Sequence, residues 1–151
     1  MALNINYDLN KMKRLIEGRY TDLGVHLDKS EIDGDFYRFS VSLTIKSLDR
    51  AAVSVHGTVG NHGYGNIEAV FDEYKVTADS LIAVNAFNDK YDLIKACISR
   101  RGHGRYFLVL NRSCQFMPTE EGMTAFFMAI IDDILDDDHE ADIKGLLKYL
   151  A

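Results

Sequence analysis

Apolar residues recur every three or four positions near the carboxyl end of the chain, as on one face of a helix. The residues of this stripe are Met123, Phe126, Phe127, Ile130, Ile131, Ile134 and Leu135. Thr119 can cap the start of this helix, where Glu120 and Glu121 complement its positive end. Further apolar residues between Ile143 and Leu150 follow the same spacing. The pattern predicts a long closing helix with a short amphipathic tail.

In the first half of the chain, apolar and polar residues alternate instead, which is typical of half-buried strands. The cleanest alternation runs from Tyr37 to Lys46, and a second runs from Val53 to Val59. Val25 to Ile32 is predicted as an irregular strand before them. Asp8 to Tyr20 has helical spacing and is predicted as a first helix. These patterns predict a helix followed by a meander of three strands.

The middle of the chain begins with a glycine-rich segment, Asn61 to Asn66, which we expect to be a flexible connection. Ile67 to Tyr74 is predicted as a short helix or an irregular turn. Thr77 or Asp79 can then cap a helix that contains the segment from Leu81 to Asn88. A second helix is therefore predicted after the meander.

Two more strand-like runs, Ile94 to Ser99 and Arg105 to Asn111, predict a hairpin around Gly102 and Gly104. The complete order is a helix, a three-stranded antiparallel meander, a helix, a two-stranded hairpin and a long C-terminal helix. This order places the helices on one side of a mostly antiparallel sheet of five strands. The sequence of 151 residues therefore predicts a single α+β domain over residues 1–151.

The formal net charge of -6 argues against partners that favour basic surfaces, so we expect no binding to nucleic acid or to a membrane. No apolar run is long enough to span a bilayer. Charged residues from Asp8 to Arg14 interrupt the amino-terminal segment where a signal peptide would have its apolar core. We therefore expect a cytoplasmic protein.

The sequence contains no clear motif for metal binding or catalysis. Cys97 and Cys114 are too far apart for a zinc knuckle or a redox pair, and we interpret them as buried or incidental thiols. The five histidines form no ligand motif. The acidic segment from Asp132 to Asp138 lacks the ligand spacing of a calcium loop. Its default interpretation is a solvated acidic face, and docking of a basic partner is the alternative. We expect no metal, no cofactor and no catalytic residue.

Three segments resemble the YbjN family, whose fold is that of the type III secretion chaperones. They are Leu81 to Asn88, the strand from Lys95 to Ile98, and the helix start from Thr119 to Glu121. The resemblance covers most of the chain. It implies a small, acidic, usually dimeric protein that is not an enzyme and that holds an extended partner segment. YbjN-like proteins are regarded as candidate regulators. The glycine-rich segment at Asn61 to Asn66 and the acidic ending depart from the family pattern.

The predicted function is therefore a chaperone-like or regulatory module that binds a segment of a partner protein and forms a homodimer. Seven residues are candidates for partner contact: Met123, Phe127, Met128, Asp133, Asp137, Arg100 and Arg101. The apolar candidates have an alternative interpretation as packed core, since any surface helix buries one face. The basic candidates sit at the predicted hairpin turn, where they could instead bind an anion or meet the acidic helix end of a second subunit.

A second function class remains open, namely a small-molecule or anion-binding protein or a small hydrolase. Such a protein would need a concave pocket that joins His56, His62 or Arg101 to other polar groups. A binding module would instead need an exposed apolar groove or a free strand edge. The two classes therefore differ in the geometry that they require.

Overall fold

The structure is a computed structural model, and it describes residues 14–15, 17–19, 23–33, 36–45, 51–60, 64–115 and 120–151. The strands are β1 (Leu23–Asp33), β2 (Phe36–Ile45), β3 (Ala51–Gly60), β4 (Tyr64–Glu73), β5 (Lys95–Arg101) and β6 (Arg105–Gln115). The helices are α1 (Ala78–Lys90), α2 (Glu120–Leu135) and α3 (Asp137–Leu147). Residues 14–15 and 17–19 are also helical and fall within the predicted first helix.

All strand pairs in the described sheet are antiparallel, in the order β1-β2-β3-β4-β6-β5. The first four strands form a meander, and α1 then carries the chain past the position of β6 to the far edge. β6 returns between β5 and β4, so β5 is an edge strand. The pairing of β1 shifts register between Leu27 and Lys29, which agrees with the predicted irregularity of this strand.

The predicted helix or irregular turn at Ile67 to Tyr74 is wrong, because this segment belongs to β4. Ile67, Ala69 and Phe71 are buried, and the residues between them are partly exposed. This is the period of two that a strand on a covered sheet requires. Part of the predicted flexible connection is also in β4, from Tyr64 to Asn66, while residues 61–63 lie outside the described part of the chain. The described sheet therefore has six strands instead of five.

One face of the sheet is covered by the helices. A single row of side chains across five strands is at most 3% exposed, and its members are Val41, Val55, Ala69, Leu110 and Ala96. The apolar faces of α1, α2 and α3 bury their side chains in the same core. Burial of each large apolar side chain contributes roughly 1.5–3 kcal/mol. The predicted α+β class, with helices on one side of an antiparallel sheet, is confirmed.

Side-chain caps define the ends of two helices. Thr77 caps α1: its hydroxyl accepts from the Ser80 amide at 3.1 Å, and the Ser80 hydroxyl accepts from the Thr77 amide at 2.8 Å. Asp136 caps α3 and accepts from the amide of Asp138 at 2.8 Å. The later part of the acidic segment thus begins a new helix, where negative charge is favourable. Thr119, the predicted cap of the closing helix, lies outside the described residues.

Within the part of the chain that the structure describes, no helix is both long and apolar enough to cross a membrane.

Candidate functional site

The apolar candidates for partner contact lie on α2. Met128 is 7% exposed and belongs to the core, so the packed-core interpretation holds for this side chain. Met123 and Phe127 are residues of α2, but their side chains lie outside the described part of the structure. Of the three apolar candidates, the one with a described side chain therefore packs into the core.

The acidic candidate Asp133 is part of an intramolecular ion pair. Its carboxylate accepts from Arg112 of β6, and both side chains are mostly buried. The pair joins α2 to β6. Asp137 is a residue of α3, and its side chain is outside the described set. Asp133 thus stabilises the contact between helix and sheet and does not form a solvated docking face.

The basic candidates lie at the turn between β5 and β6. Gly102, His103 and Gly104 have φ angles of 22°, 54° and 74°, which are left-handed conformations that favour glycine. Arg101 pairs with Arg105 where the hairpin closes. The Arg100 guanidinium lies against Gly104, where an added Cβ would stand 3.3 Å from its Nη2 atom. The predicted hairpin and its basic tip are therefore present.

A shallow groove of about 290 Å³ opens beside this turn on the sheet face opposite the helices, and it joins two predicted residues, His56 and Arg101. Its lining is His56, Val70, Arg101, Gly102, Arg105 and Phe107. His62, the third residue predicted for such a pocket, lies outside the described residues. Val70 and Phe107 were not predicted as site residues, although strand alternation places Arg105 and Phe107 on the same face of β6.

Ion pairs and hydrogen bonds orient the polar groups of the groove. Arg101 donates from Nη2 to Glu68 at 2.9 Å and from Nε to the Ser99 hydroxyl at 3.2 Å. The Arg105 Nη1 atom is 4.0 Å from a carboxylate oxygen of Glu73, which is too long for a hydrogen bond. Arg101 is therefore held in place, whereas Arg105 is not fixed by Glu73.

The free edge of β5 is a second candidate site. Asn88 of α1 donates to the carbonyl of Ala96 at 2.8 Å and accepts from its amide at 2.7 Å. The backbone groups of Ala96 therefore point away from β6. Because these directions alternate along a strand, the amides and carbonyls of Ile98 and Arg100 point outward as well. Among the described residues, no group hydrogen-bonds to them.

Helix α1 runs beside this edge. The amide of Tyr74 donates to the carbonyl of Tyr106 at 2.7 Å, so the chain leaves β4 close to Arg100, the partner of Tyr106 in β6. The opposite end of α1 reaches Ala96 through Asn88. Leu81 precedes Asn88 by two helical turns and therefore lies on the same side of α1. This side chain is 47% exposed, so the edge has an apolar neighbour.

A polar cluster fixes the end of α1 against α3. Lys90 donates to Asp142 at 2.6 Å, and the hydroxyl of Tyr91 donates to the same carboxylate. The hydrogen bond from Lys90, followed by that from Tyr91, lowers the pKa of Asp142 below its ordinary value. Tyr91 also packs edge-on against the ring of His139, with centroids 4.5 Å apart. These contacts hold α1 in position beside β5.

Cys97 is an exposed residue of β5, so the incidental interpretation applies to this thiol instead of the buried one. Desolvation, together with the nearby Glu68 charge, raises the pKa of Cys97. The thiol is therefore mostly protonated at neutral pH and a weak nucleophile. The side chain of Cys114 lies outside the described part. Among the described residues, no three His, Cys, Asp or Glu side chains converge as metal ligands would.

No protein-family model matches the chain, and no curated protein matches it. Among solved structures, it is similar to the crystal structure of YbjN, described as a candidate transcription regulator from E. coli. The two chains are 16% identical, with a TM-score of 0.48 over 92% of this chain and 87% of YbjN. The sequence resembles the family of the same name.

Proposed function

We propose that this chain is a non-enzymatic cytoplasmic module, chaperone-like or regulatory, that binds an extended segment of a partner protein along the free edge of β5. The observation that carries the proposal is the pair of outward-facing residues Ile98 and Arg100. Their backbone donors and acceptors have no partner among the described residues. A strand from another protein would satisfy them by continuing the sheet.

The edge offers four backbone groups to an added strand, two from Ile98 and two from Arg100. Each hydrogen bond contributes a net of about 0.5–1.5 kcal/mol. This contribution is modest, so side-chain contacts must supply much of the affinity. Leu81 provides an exposed apolar contact on the helix side, and Arg100 provides an exposed positive charge near the hairpin. The preferred segment therefore has an apolar residue facing α1 and an acidic residue near the turn.

Asn88 defines one end of this binding edge. Its side-chain amide makes the same pair of hydrogen bonds with Ala96 that a neighbouring strand residue would make. A partner strand would therefore stop before Ala96 and extend towards the hairpin. α1 lies beside this edge, and its end contacts α3 through Lys90 and Asp142.

The predicted homodimer offers a different occupant for the same edge. Two copies of β5 could pair about a two-fold axis, since such an interface uses the same patch on both subunits. We propose the partner segment as the occupant, because the edge left open beyond Asn88 is short. A measurement of oligomeric state must accompany the binding test.

The test compares Arg100→Pro with Arg100→Gln. Proline removes the outward amide that an added strand needs, and an edge position tolerates proline when that amide faces solvent. Glutamine removes the same charge but keeps the amide. Both variants should retain the circular dichroism spectrum of the wild-type protein.

Affinity capture from the native cytoplasm, followed by mass spectrometry, should then recover one reproducible protein with the wild type, and a smaller amount of the same protein with Arg100→Gln, which lacks the charge that faces the acidic residue of the segment. Arg100→Pro should lose that protein. Retention of the partner by Arg100→Pro would contradict docking at this edge, and capture of only metabolites or metal would contradict a protein-binding function. If sedimentation shows that wild-type dimers dissociate in Arg100→Pro, the edge is a subunit interface and the partner proposal is wrong.

A further inference from the structure

We propose that the groove on the open face of the sheet binds a small organic anion, with a carboxylate or phosphate group at its basic end and an apolar body on its floor. This site is separate from the edge used in the proposed function. The groove lies on the sheet face, whereas the free backbone groups of Ile98 and Arg100 lie along the outer side of β5. Binding in the groove can therefore be measured without any protein partner.

The basic end of the groove is built from two arginines on neighbouring strands. The Arg101 guanidinium is held by Glu68 and Ser99, which together use its Nη2 and Nε atoms and leave Nη1 uncommitted to them. Arg105 stands 4.0 Å from Glu73 and can turn towards a ligand. Guanidinium groups match carboxylate and phosphate oxygens through paired hydrogen bonds. A fixed and a movable arginine thus face one space.

The floor of the groove is apolar, which distinguishes it from the surrounding face. Val70 and Phe107 line it. The neighbouring row of this face is polar: His56 of this row also lines the groove, and its other members are Ser40, Glu68, Asn111 and Lys95. An aromatic or aliphatic body would cover this floor and remove it from water. The volume of about 290 Å³ is near the lower limit of ligand pockets, so the body must be small.

Two carboxylates near the groove repel an anion and lower its expected affinity. Glu68 is committed to Arg101 at 2.9 Å, and Glu73 is near Arg105. A ligand therefore competes with Glu73 for Arg105, while the Arg101 pair stays intact. His56 completes the lining, with Nε2 3.0 Å from the Ser54 hydroxyl. The site should thus favour ligands that combine the charge with apolar contact over inorganic anions alone.

The experiment titrates the full chain with phenyl phosphate, benzoate and inorganic phosphate and follows the backbone amides by NMR. We expect saturable shifts at His56, Gly102 and Arg105 with phenyl phosphate or benzoate, and weaker binding of inorganic phosphate. The two organic probes show which anionic group is preferred. Shifts spread over the whole surface, or equal binding of inorganic phosphate, would overturn the proposal.

Arg105→Gln should weaken binding of the better organic probe about tenfold or more, because a charge-assisted contact is lost. The matched control is Arg38→Gln, which makes the same change in charge on the same sheet face. Arg38 pairs with Thr58 and does not line the groove. Its variant should bind the probe as the wild type does. Equal weakening by both variants would show nonspecific attraction and refute the site.

Discussion

Replacing Asn88 with alanine tests whether a side-chain amide substitutes for a missing strand at the edge of the sheet. Asn88 makes two hydrogen bonds to Ala96, at 2.7 and 2.8 Å. With a net of about 0.5–1.5 kcal/mol each, they stabilise the fold by about 1–3 kcal/mol. Ala96 is 3% exposed, so water replaces these bonds poorly. We therefore expect the loss to fall in the upper half of this range.

Asn85→Ala is the matched control, because Asn85 lies on the same helix and is exposed. Alanine is the better helix former, so both variants gain the same small propensity term of up to about 0.7 kcal/mol. The difference between the two variants removes this term. It isolates the two hydrogen bonds between Asn88 and the edge strand.

The assay is urea unfolding followed by circular dichroism. Asn88→Ala should lower the midpoint without changing the slope, since the surface exposed on unfolding is unchanged. Asn85→Ala should unfold at or slightly above the wild-type midpoint. If the unfolding free energies of the two variants agree within about 0.5 kcal/mol, which is the usual range of surface substitutions, Asn88 does not stabilise the edge. The proposed limit of the binding edge would then also fail.

Four further substitutions test other parts of the fold. Asp133→Ala leaves Arg112, which is 17% exposed, without its ionic partner and should lower the unfolding free energy by about 1–3 kcal/mol. In the double variant Arg112→Met/Asp133→Leu, most of this lost free energy should be recovered. Urea unfolding measures both changes. Burial raises the pKa of Tyr74 to about 12. The protonated Tyr74 therefore adds its full contribution to the free energy of unfolding below pH 10, and this contribution is lost as the pH rises towards 12. Thermal melts of Tyr74→Phe should depend less on pH in that interval, and an unchanged slope would count against this assignment. Gly104→Ala forces a side chain to φ 74° and should lower the free energy of unfolding by about 1–2 kcal/mol. Gly145→Ala lies in α3, where the added methyl meets open space, and should raise the free energy of unfolding by up to about 1 kcal/mol.

Local periodicity predicted the elements that bury one face and expose the other. The alternation in β2 and β3 and the apolar stripe of α2 each report such a half-buried environment, and the structure contains all three. The turn glycines Gly102 and Gly104 located the hairpin because its backbone needs left-handed angles there. Thr77 located the start of α1 through its capping hydroxyl. In each case the physical cause acts over a few neighbouring residues.

β4 was not predicted as a strand because the sequence obscures both its start and its alternation of apolar and polar residues. The strand begins in a glycine-rich segment, and the apolar Val70 on its open face interrupts the alternation set by Ile67, Ala69 and Phe71. Val70 is apolar where it lines the groove. β4 lies in the sheet interior and pairs with β6, more than 30 residues away, and no local pattern reports a pairing of that range. The same limit applies to Asp133, whose partner Arg112 is brought near only by the fold.

The distribution of charge places the two proposed sites in different electrostatic surroundings. Residues 120–151 contain nine acidic residues and two lysines, a net charge of -7, so the remaining 119 residues carry +1 of the total of -6. The negative charge is therefore concentrated in the α2 and α3 layer, behind the sheet as seen from the groove. Screening limits its reach to about 10 Å in ordinary salt, so the distance from the helices to the open face weakens its effect on an anion at Arg105. A partner at β5 instead lies beside the helical layer and near Arg100. Binding there should favour a segment with an apolar residue facing α1 and an acidic residue at the turn, which differs from the small anion that the groove selects.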